Sequence, residues 1–396
     1  MSTFGELTAP KVEQTGPGGG GDFVYVDISS IDNQAKRIVE PKLLTTDVAP
    51  SRARQRLQKG DVLISMTRPN LNAVAIVPPD LDGAIGSTGF HVLRANPNTD
   101  PHWLYYAVQS NSFVKAMCDL VQGALYPAVR PKDIREYSIN RPPLAQQREI
   151  VAELEKQFSR LDEAVANLQR VKANLKRYKD SVYSEAFDNE PNRTLGDLIE
   201  VGPQNGLYLP KDLYGDGVPI LRIDDYQTAW IRPVQELRRV KATQEQISTW
   251  ALSEDDLVVN RVNSMTHLGK CVRIPKSLAG TVFESNMMRM RLTAAASPKY
   301  VEHYLASRHG KRRLTGNAKW AVNQASINQK DVRATPIFVP GLAEQLALVT
   351  EIDRQLSIVR EVEAEVETSL KRAQALRQAT LAKAFSHSSD YLDRFK

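Results

Sequence analysis

Arg141-Pro142-Pro143-Leu144-Ala145-Gln146-Gln147-Arg148-Glu149-Ile150-Val151 has a second copy in the same chain, Val339-Pro340-Gly341-Leu342-Ala343-Glu344-Gln345. Pro142 and Pro340, Leu144 and Leu342, and Gln147 and Gln345 are each 198 positions apart. That register begins upstream, where Lys132-Asp133-Ile134-Arg135 recurs as Lys330-Asp331-Val332-Arg333. It runs on without a gap to Ala186-Phe187 and Ala384-Phe385. Further upstream the match loosens. Phe4-Gly5-Glu6-Leu7 is similar to Leu195-Gly196-Asp197-Leu198, and Gly60-Asp61-Val62-Leu63-Ile64 to Asp255-Asp256-Leu257-Val258-Val259, at shifting offsets that imply insertions. Two copies are too few for a solenoid. The chain reads as a duplicated protein: a variable module over 1–143, a constrained segment over 144–190, a second module over 191–341, a second constrained segment over 342–388 and a tail over 389–396.

The constrained segments have the apolar spacing of long helices. Val151, Leu154, Phe158, Leu161, Val165, Leu168, Leu175 and Val182 follow one another in steps of three and four, with lysine at seam positions 172 and 179. The second copy gives Val349, Ile352, Leu356, Val359, Val366 and Ala373, with Glu363 and Arg377 as polar breaks. Neither Gly nor Pro interrupts 144–190. At about 1.5 Å per residue each helix would run roughly 60 Å. An amphipathic helix of that length needs a partner, and the two copies can supply it to each other as an antiparallel coiled coil.

The modules read as mixed α and β. Phe23–Val26, Val62–Ile64, Val74–Val77 and Phe90–Leu93 have strand character in the first, and Pro219–Ile223, Leu257–Val259 and Cys271–Ile274 in the second. Helices are expected over 101–118 and 298–313. The expected fold class is therefore α+β, with a pseudo-two-fold internal repeat.

Composition narrows the function. Hydrophobic residues are 42% of the 396 and charged residues 25%, as in a soluble globular protein. No apolar run approaches the roughly 20 residues of a membrane helix, and Met1-Ser2-Thr3-Phe4-Gly5-Glu6 does not read as a secretory signal. Two cysteines, Cys118 and Cys271, cannot form a disulfide framework, so a cytoplasmic location is expected. The net charge of +6 is concentrated in 191–341, where 21 basic groups face 14 acidic ones, an electrostatic footprint suited to phosphates.

No catalytic or cofactor signature stands out. Thr15-Gly16-Pro17-Gly18-Gly19-Gly20-Gly21 has no following Lys-Ser/Thr, so it is no phosphate-binding loop. The six histidines lack metal-ligand spacing. A self-contained metal-dependent endonuclease would have to use Asp27, Glu40 and Lys42, and Pro41 sits awkwardly inside that Glu-x-Lys triplet. A coiled-coil scaffold with protein-binding heads is the other alternative. The expectation is no metal, no cofactor and no turnover.

Two variable modules, each closed by Pro-x-Leu-Ala-x-Gln and a long heptad helix, resemble the specificity (S) subunits of type I restriction–modification enzymes. The resemblance covers essentially the whole chain; Gly341, standing where the first copy has Pro143, is a departure. It implies that each module is a target recognition domain reading one half of a split site in double-stranded DNA. It also implies partners: two modification methyltransferase subunits, which hold S-adenosylmethionine, and ATP-dependent restriction subunits. Ile150, Leu348 and Val362 are then expected docking positions on the helices. Because the modules differ, the target should be asymmetric and bipartite, with half-sites about one helical turn, or 10 bp, apart.

Base readout calls for amide and guanidinium groups on exposed loops. In the first module these are Thr67, Arg68, Asn70 and Asn72, then Tyr126 and Arg130; in the second Asn260, Arg261, Asn263 and His267, then Lys319, Trp320, Asn323 and Gln324. Phosphate contacts are expected from Arg52, Arg54 and Arg56, from Arg238, Arg239 and Lys241, and from Lys311, Arg312 and Arg313.

Overall fold

A computed structural model describes residues 1–121, 127–227, 230–321 and 324–386. The chain divides into two compact units, one of Met1–Gln169 with Glu367–Lys396 and one of Arg170–Val366. The helices Leu144–Phe187 and Leu342–Ala384 each contribute one stretch to each unit.

In the first unit the strand Val62–Ser65 lies between Phe90–Leu93 and Val74–Ile76, antiparallel to both. Side chains alternate across a strand. Val62 and Ile64 enter a core with Trp103, Leu104, Phe4 and Phe158, while Leu63 enters another with Val26, Leu57 and Phe90. Burial on both faces explains an unbroken apolar run where a one-sided strand would alternate. The second unit repeats this: Leu257 and Val259 join the core of Tyr300, Tyr304 and Phe187, and Val258 the core of Leu221, Tyr226 and Phe283. In each unit the acid ahead of this strand takes a two-pronged arginine from its neighbour, Arg94 on Asp61 (2.8 and 2.8 Å) and Arg291 on Asp256 (2.8 and 3.2 Å).

The expected single helices over 101–118 and 298–313 are each broken in two. Pro101–Ala107 gives way to Asn111–Asp119, and Pro298–Ala306 to Arg308–Thr315. The cause is the same serine device twice. Ser110 Oγ donates to Ala107 O (2.7 Å) and accepts from Phe113 N; Ser307 Oγ donates to Tyr304 O (2.6 Å) and accepts from Gly310 N. Each serine ends one helix and caps the next. A Cβ on Gly310 would lie 2.0 Å from Tyr304 O, so only glycine fits this corner.

Within each unit the two long-helix stretches run antiparallel. In the first, Arg377 pairs with Asp162 (2.6 Å) and stacks on Phe158, while Leu381 and Ala384 share a core with Ile150, Val151 and Leu154. In the second, Lys179 pairs with Glu363 (2.9 Å), while Val182 and Tyr183 share a core with Val349, Ile352 and Leu356. Glu363 and Arg377, polar breaks in the sequence, are thus met by complementary side chains. Of the seam, Val151, Leu154, Phe158, Val182, Val349, Ile352, Leu356, Val359 and Val366 are buried, and Leu161, Val165, Leu168 and Leu175 half-buried.

Gln147 and Gln345 are fully buried, and each fastens its long helix to its module. Gln147 Oε1 accepts from Asp100 N (2.8 Å) and Nε2 donates to Pro142 O (2.9 Å) and Asn98 O (3.4 Å). Gln345 does the same with Ser297 N (2.8 Å), Pro340 O (2.9 Å) and Ala295 O (3.1 Å). Gln147→Ala or Gln345→Ala leaves these backbone groups without partners and should lower the stability of its unit by about 1–3 kcal/mol in denaturant titrations. Unchanged midpoints would show that the clamps carry no energy.

Burial pushes the His303 imidazole below its ordinary pKa, even with Asp353 3.1 Å away. A group that titrates lower in the fold takes up a proton on unfolding, so its contribution is complete above the unfolded histidine value of about 6.5 and is lost as pH falls below it. Urea midpoints should drop between about pH 7.5 and about pH 5.5, and drop less in His303→Phe. An equal drop in both would place the acid sensitivity elsewhere.

Candidate nucleic-acid interface

In both units the exit of the central strand zips antiparallel onto a second loop. In the first unit Thr67 bridges Ala128, Arg68 N donates to Pro127 O (2.8 Å) and Val129 N to Met66 O (2.9 Å). In the second, Val262 and Asn263 pair with Ser326 and Ala325, and Lys319–Ala321 pairs onward with Gln324–Ser326 to make a three-stranded sheet. The loops read from the sequence as equivalent readers are joined to one another in each unit.

Thr67, Arg68 and Asn70 are exposed. Arg68 and Asn72 hold left-handed backbone, at φ of 50° and 44°, on either side of the short turn Pro69–Leu71. Such strain in non-glycine residues is costly and collects where a loop has a task. Asn72 is half-buried and its carbonyl accepts from Lys36 Nζ (2.6 Å). Arg130 is exposed and forked onto Asp133. Tyr126 and Asn323 lie outside the described residues.

Trp320 is 73% exposed, beside exposed Lys319 and Gln324, in the sheet that also holds half-buried Asn263. His267 is exposed, its Nδ1 within hydrogen-bond range of Ser264 Oγ (3.1 Å) and Thr266 Oγ1 (3.0 Å). Two expectations need correction. Asn260 is 0% exposed: its Oδ1 accepts from Tyr226 Oη and its Nδ2 donates to His267 O (3.4 Å), so it braces the loop from within. Arg261 is half-buried and donates to Ser285 O (3.1 Å).

The cations divide likewise. Arg52, Arg54 and Arg56 are exposed, alternating with buried Ala53 and Gln55, which sets all three on one face. Arg238, Arg239 and Lys241 are exposed, on and beside a strand paired with Tyr214–Leu221. Arg312 is exposed, but its neighbours are corrected: half-buried Lys311 donates to Thr266 O (2.6 Å), and half-buried Arg313 to Tyr304 Oη (3.3 Å). Those two hold the fold. Tyr208, three residues before Lys211, is 79% exposed.

A family model described as "Type I restriction modification DNA specificity domain" matches residues 18–176. The chain is 24% identical over 310 residues to the type I restriction enzyme EcoKI specificity subunit of Escherichia coli K12, covering 74% of this chain and 67% of that protein. It is 25% identical over 309 residues to the StySPI specificity subunit of Salmonella potsdam, covering 74% of this chain and 66% of that protein. A solved chain from work on assembly and conformational transition of the type I R-M system superposes with TM-score 0.79 at 27% identity over 97% of both chains. Along most of its length the chain resembles the specificity subunits of type I restriction–modification enzymes. The HsdS subunit from Thermoanaerobacter tengcongensis is also similar, at TM-score 0.52 and 27% identity over 97% of this chain and 95% of that one. A specificity subunit is the non-catalytic, recognition component of such a system.

Lys42 Nζ is tied to Asp27 Oδ2 (2.6 Å) and Ser29 Oγ (3.1 Å). Among the described residues no group of three or more His, Cys, Asp or Glu side chains could hold a metal ion, and no helix is long and apolar enough to cross a membrane.

Replacing Arg238, Arg239 and Lys241 together with alanine should weaken binding to every DNA sequence and lower the slope of log K against log salt by about 0.9 for each phosphate no longer neutralised. Lys311→Ala should instead lower stability, since it removes a tether to the Thr266 carbonyl. An unchanged slope in the triple variant removes that strand from the interface.

Proposed function

We propose that this chain is a specificity subunit that reads an asymmetric, bipartite sequence in double-stranded DNA, one half with each unit. The observation that carries this is the pair of quasi-equivalent zipped loops bearing different side chains: Thr67 and Arg68 stand in one unit where Val262 and Asn263 stand in the other. Arginine suits guanine and asparagine suits adenine, so like scaffolds would read unlike bases. The uninterrupted helices Leu144–Phe187 and Leu342–Ala384 set the half-site spacing in this reading.

The partners are two modification methyltransferase subunits and, through them, restriction subunits, with S-adenosylmethionine and ATP bound on those subunits; the work is done in the cytoplasm. On the docking surface the structure redirects the expectation. Ile150 is buried in the first unit's core, and Leu348 is half-buried against the second's. Val362 remains, four residues from Ile358; with Leu342 and Leu346, also four apart, these side chains are 37–51% exposed. Apolar pairs at helical spacing suit a protein partner.

Modified-base sequencing of DNA from a cell carrying the system should show one split, asymmetric motif. Arg68→Ala should relax one half of it and Asn263→Ala the other, each by about 1–3 kcal/mol of discrimination. A loss equal at all positions, or a continuous motif, overturns the bipartite reading.

A further inference from the structure

The two units differ at one edge of the central sheet. In the second, the strand Ile199–Asn205 follows Met287–Leu292 along its length, ending with Asn205 opposite Met288. In the first, the equivalent pairing ends at the Thr8–Ala95 bridge and the Ala9 N to Arg94 O bond (2.8 Å). The chain then departs at Pro10, which has no N–H to continue a ladder. Arg135 holds the departing segment by donating to Gly5 O and Ala9 O (2.9 Å each).

The segment's departure leaves a cavity of about 590 Å³ against the Phe90–Leu93 strand, within the range of small-molecule sites, ~300–1,000 Å³. Where the second unit has Met288, the first has His91, whose Nε2 is buried without a partner. Such an atom is costly unless something bonds it. Burial, with the nearby Arg135 charge, holds the imidazole down at about 4, so at neutral pH it is uncharged, with one ring nitrogen an acceptor. Gln55, also lining the cavity, spends both amide hydrogens on Ser87 O (2.7 Å) and Phe90 O (3.0 Å), which leaves its Oε1. Phe90 and Met66 supply apolar wall; Lys11 and Arg135 supply positive charge, and among the described residues no carboxylate lines the space. Met66 is joined by backbone bonds to Gly89 and Val129, so the cavity borders the loop that carries Thr67 and Arg68.

The geometry points to a nucleotide-binding site in the first unit: a cavity for one unstacked nucleotide, its base amine directed to His91 and Gln55 and its phosphate to Lys11 and Arg135. The nucleotide is either free or an extrahelical residue of bound DNA; the second source rests on the proposed DNA reading, the first does not.

Two measurements on the full chain separate these. Calorimetric titration with adenosine 5′-monophosphate and cytidine 5′-monophosphate tests the free source. Duplexes of the cognate motif carrying 2-aminopurine at successive positions test the other, because the probe brightens when unstacked, and anisotropy on the same duplexes reports DNA binding. Saturable nucleotide binding weakened about tenfold in His91→Phe and in Lys11→Ala supports a free ligand. Brightening at one position of the first half-site, lost in those variants at equal DNA occupancy, supports an extrahelical one. Lys11 is exposed, so its variant serves should His91→Phe melt lower. Absence of DNA binding in the anisotropy would count against the DNA reading alone, with the titration still deciding the cavity. No saturable binding of either nucleotide and no brightening on bound DNA overturns the site.

Discussion

Two buried glutamines hold this architecture together. A long helix that must both pair with another and carry a recognition module needs its entry angle fixed, and apolar contact alone does not fix an angle. Gln147 and Gln345 do so with directional bonds, each satisfying one amide and one carbonyl of the module and one carbonyl of the approach. A primary amide is the one side chain that offers both an acceptor and two donors without charge, so it can be buried here at no ionic cost. The neighbouring features repeat around that joint: the serine corners at Ser110 and Ser307, the Asp–Arg forks behind the central strands, and the aromatic seats of Phe385 on Trp103 and Phe187 on Tyr300.

What repeats is therefore the frame, and what differs is what the frame presents. Arg68 and Asn263 occupy like positions on like zippers, and Lys36, half-buried with its ammonium on Asn72 O, supports only the first loop. In the first unit a segment leaves the sheet at Pro10; in the second a strand stays. A duplicated scaffold can thus be constrained at its joints and free at its recognition edges.

Much of this was readable from the chain. The repeat offset located both helices, and the seam from Val151 to Val182 and from Val349 to Val366 matched the buried and half-buried positions, because heptad spacing is a local pattern. The strands Val62–Ser65 and Leu257–Asn260 declared themselves through apolar runs. Side-chain direction was less legible. Asn260 looked like a reader because amides suit adenine, but it sits at the last residue of a doubly buried strand and faces Tyr226. Lys311 and Arg313 looked like phosphate ligands as part of a basic triplet, yet helical spacing turns two of the three back onto the fold. The helix breaks were missed because a single serine, indistinguishable in composition from a surface residue, ends one helix and starts another.

The division of the chain between its units has a bearing on biosynthesis. The second unit is one continuous stretch, Arg170–Val366, whereas the first is completed only by residues that follow it, among them Leu381 and Ala384 in its core and Phe385 on Trp103. A polypeptide emerging in order from the ribosome can finish its later-encoded half first, while the earlier-encoded half keeps Trp103, Phe158 and Leu154 partly uncovered until the last turns of the final helix arrive. That interval is when a nascent chain of this kind has most need of a chaperone.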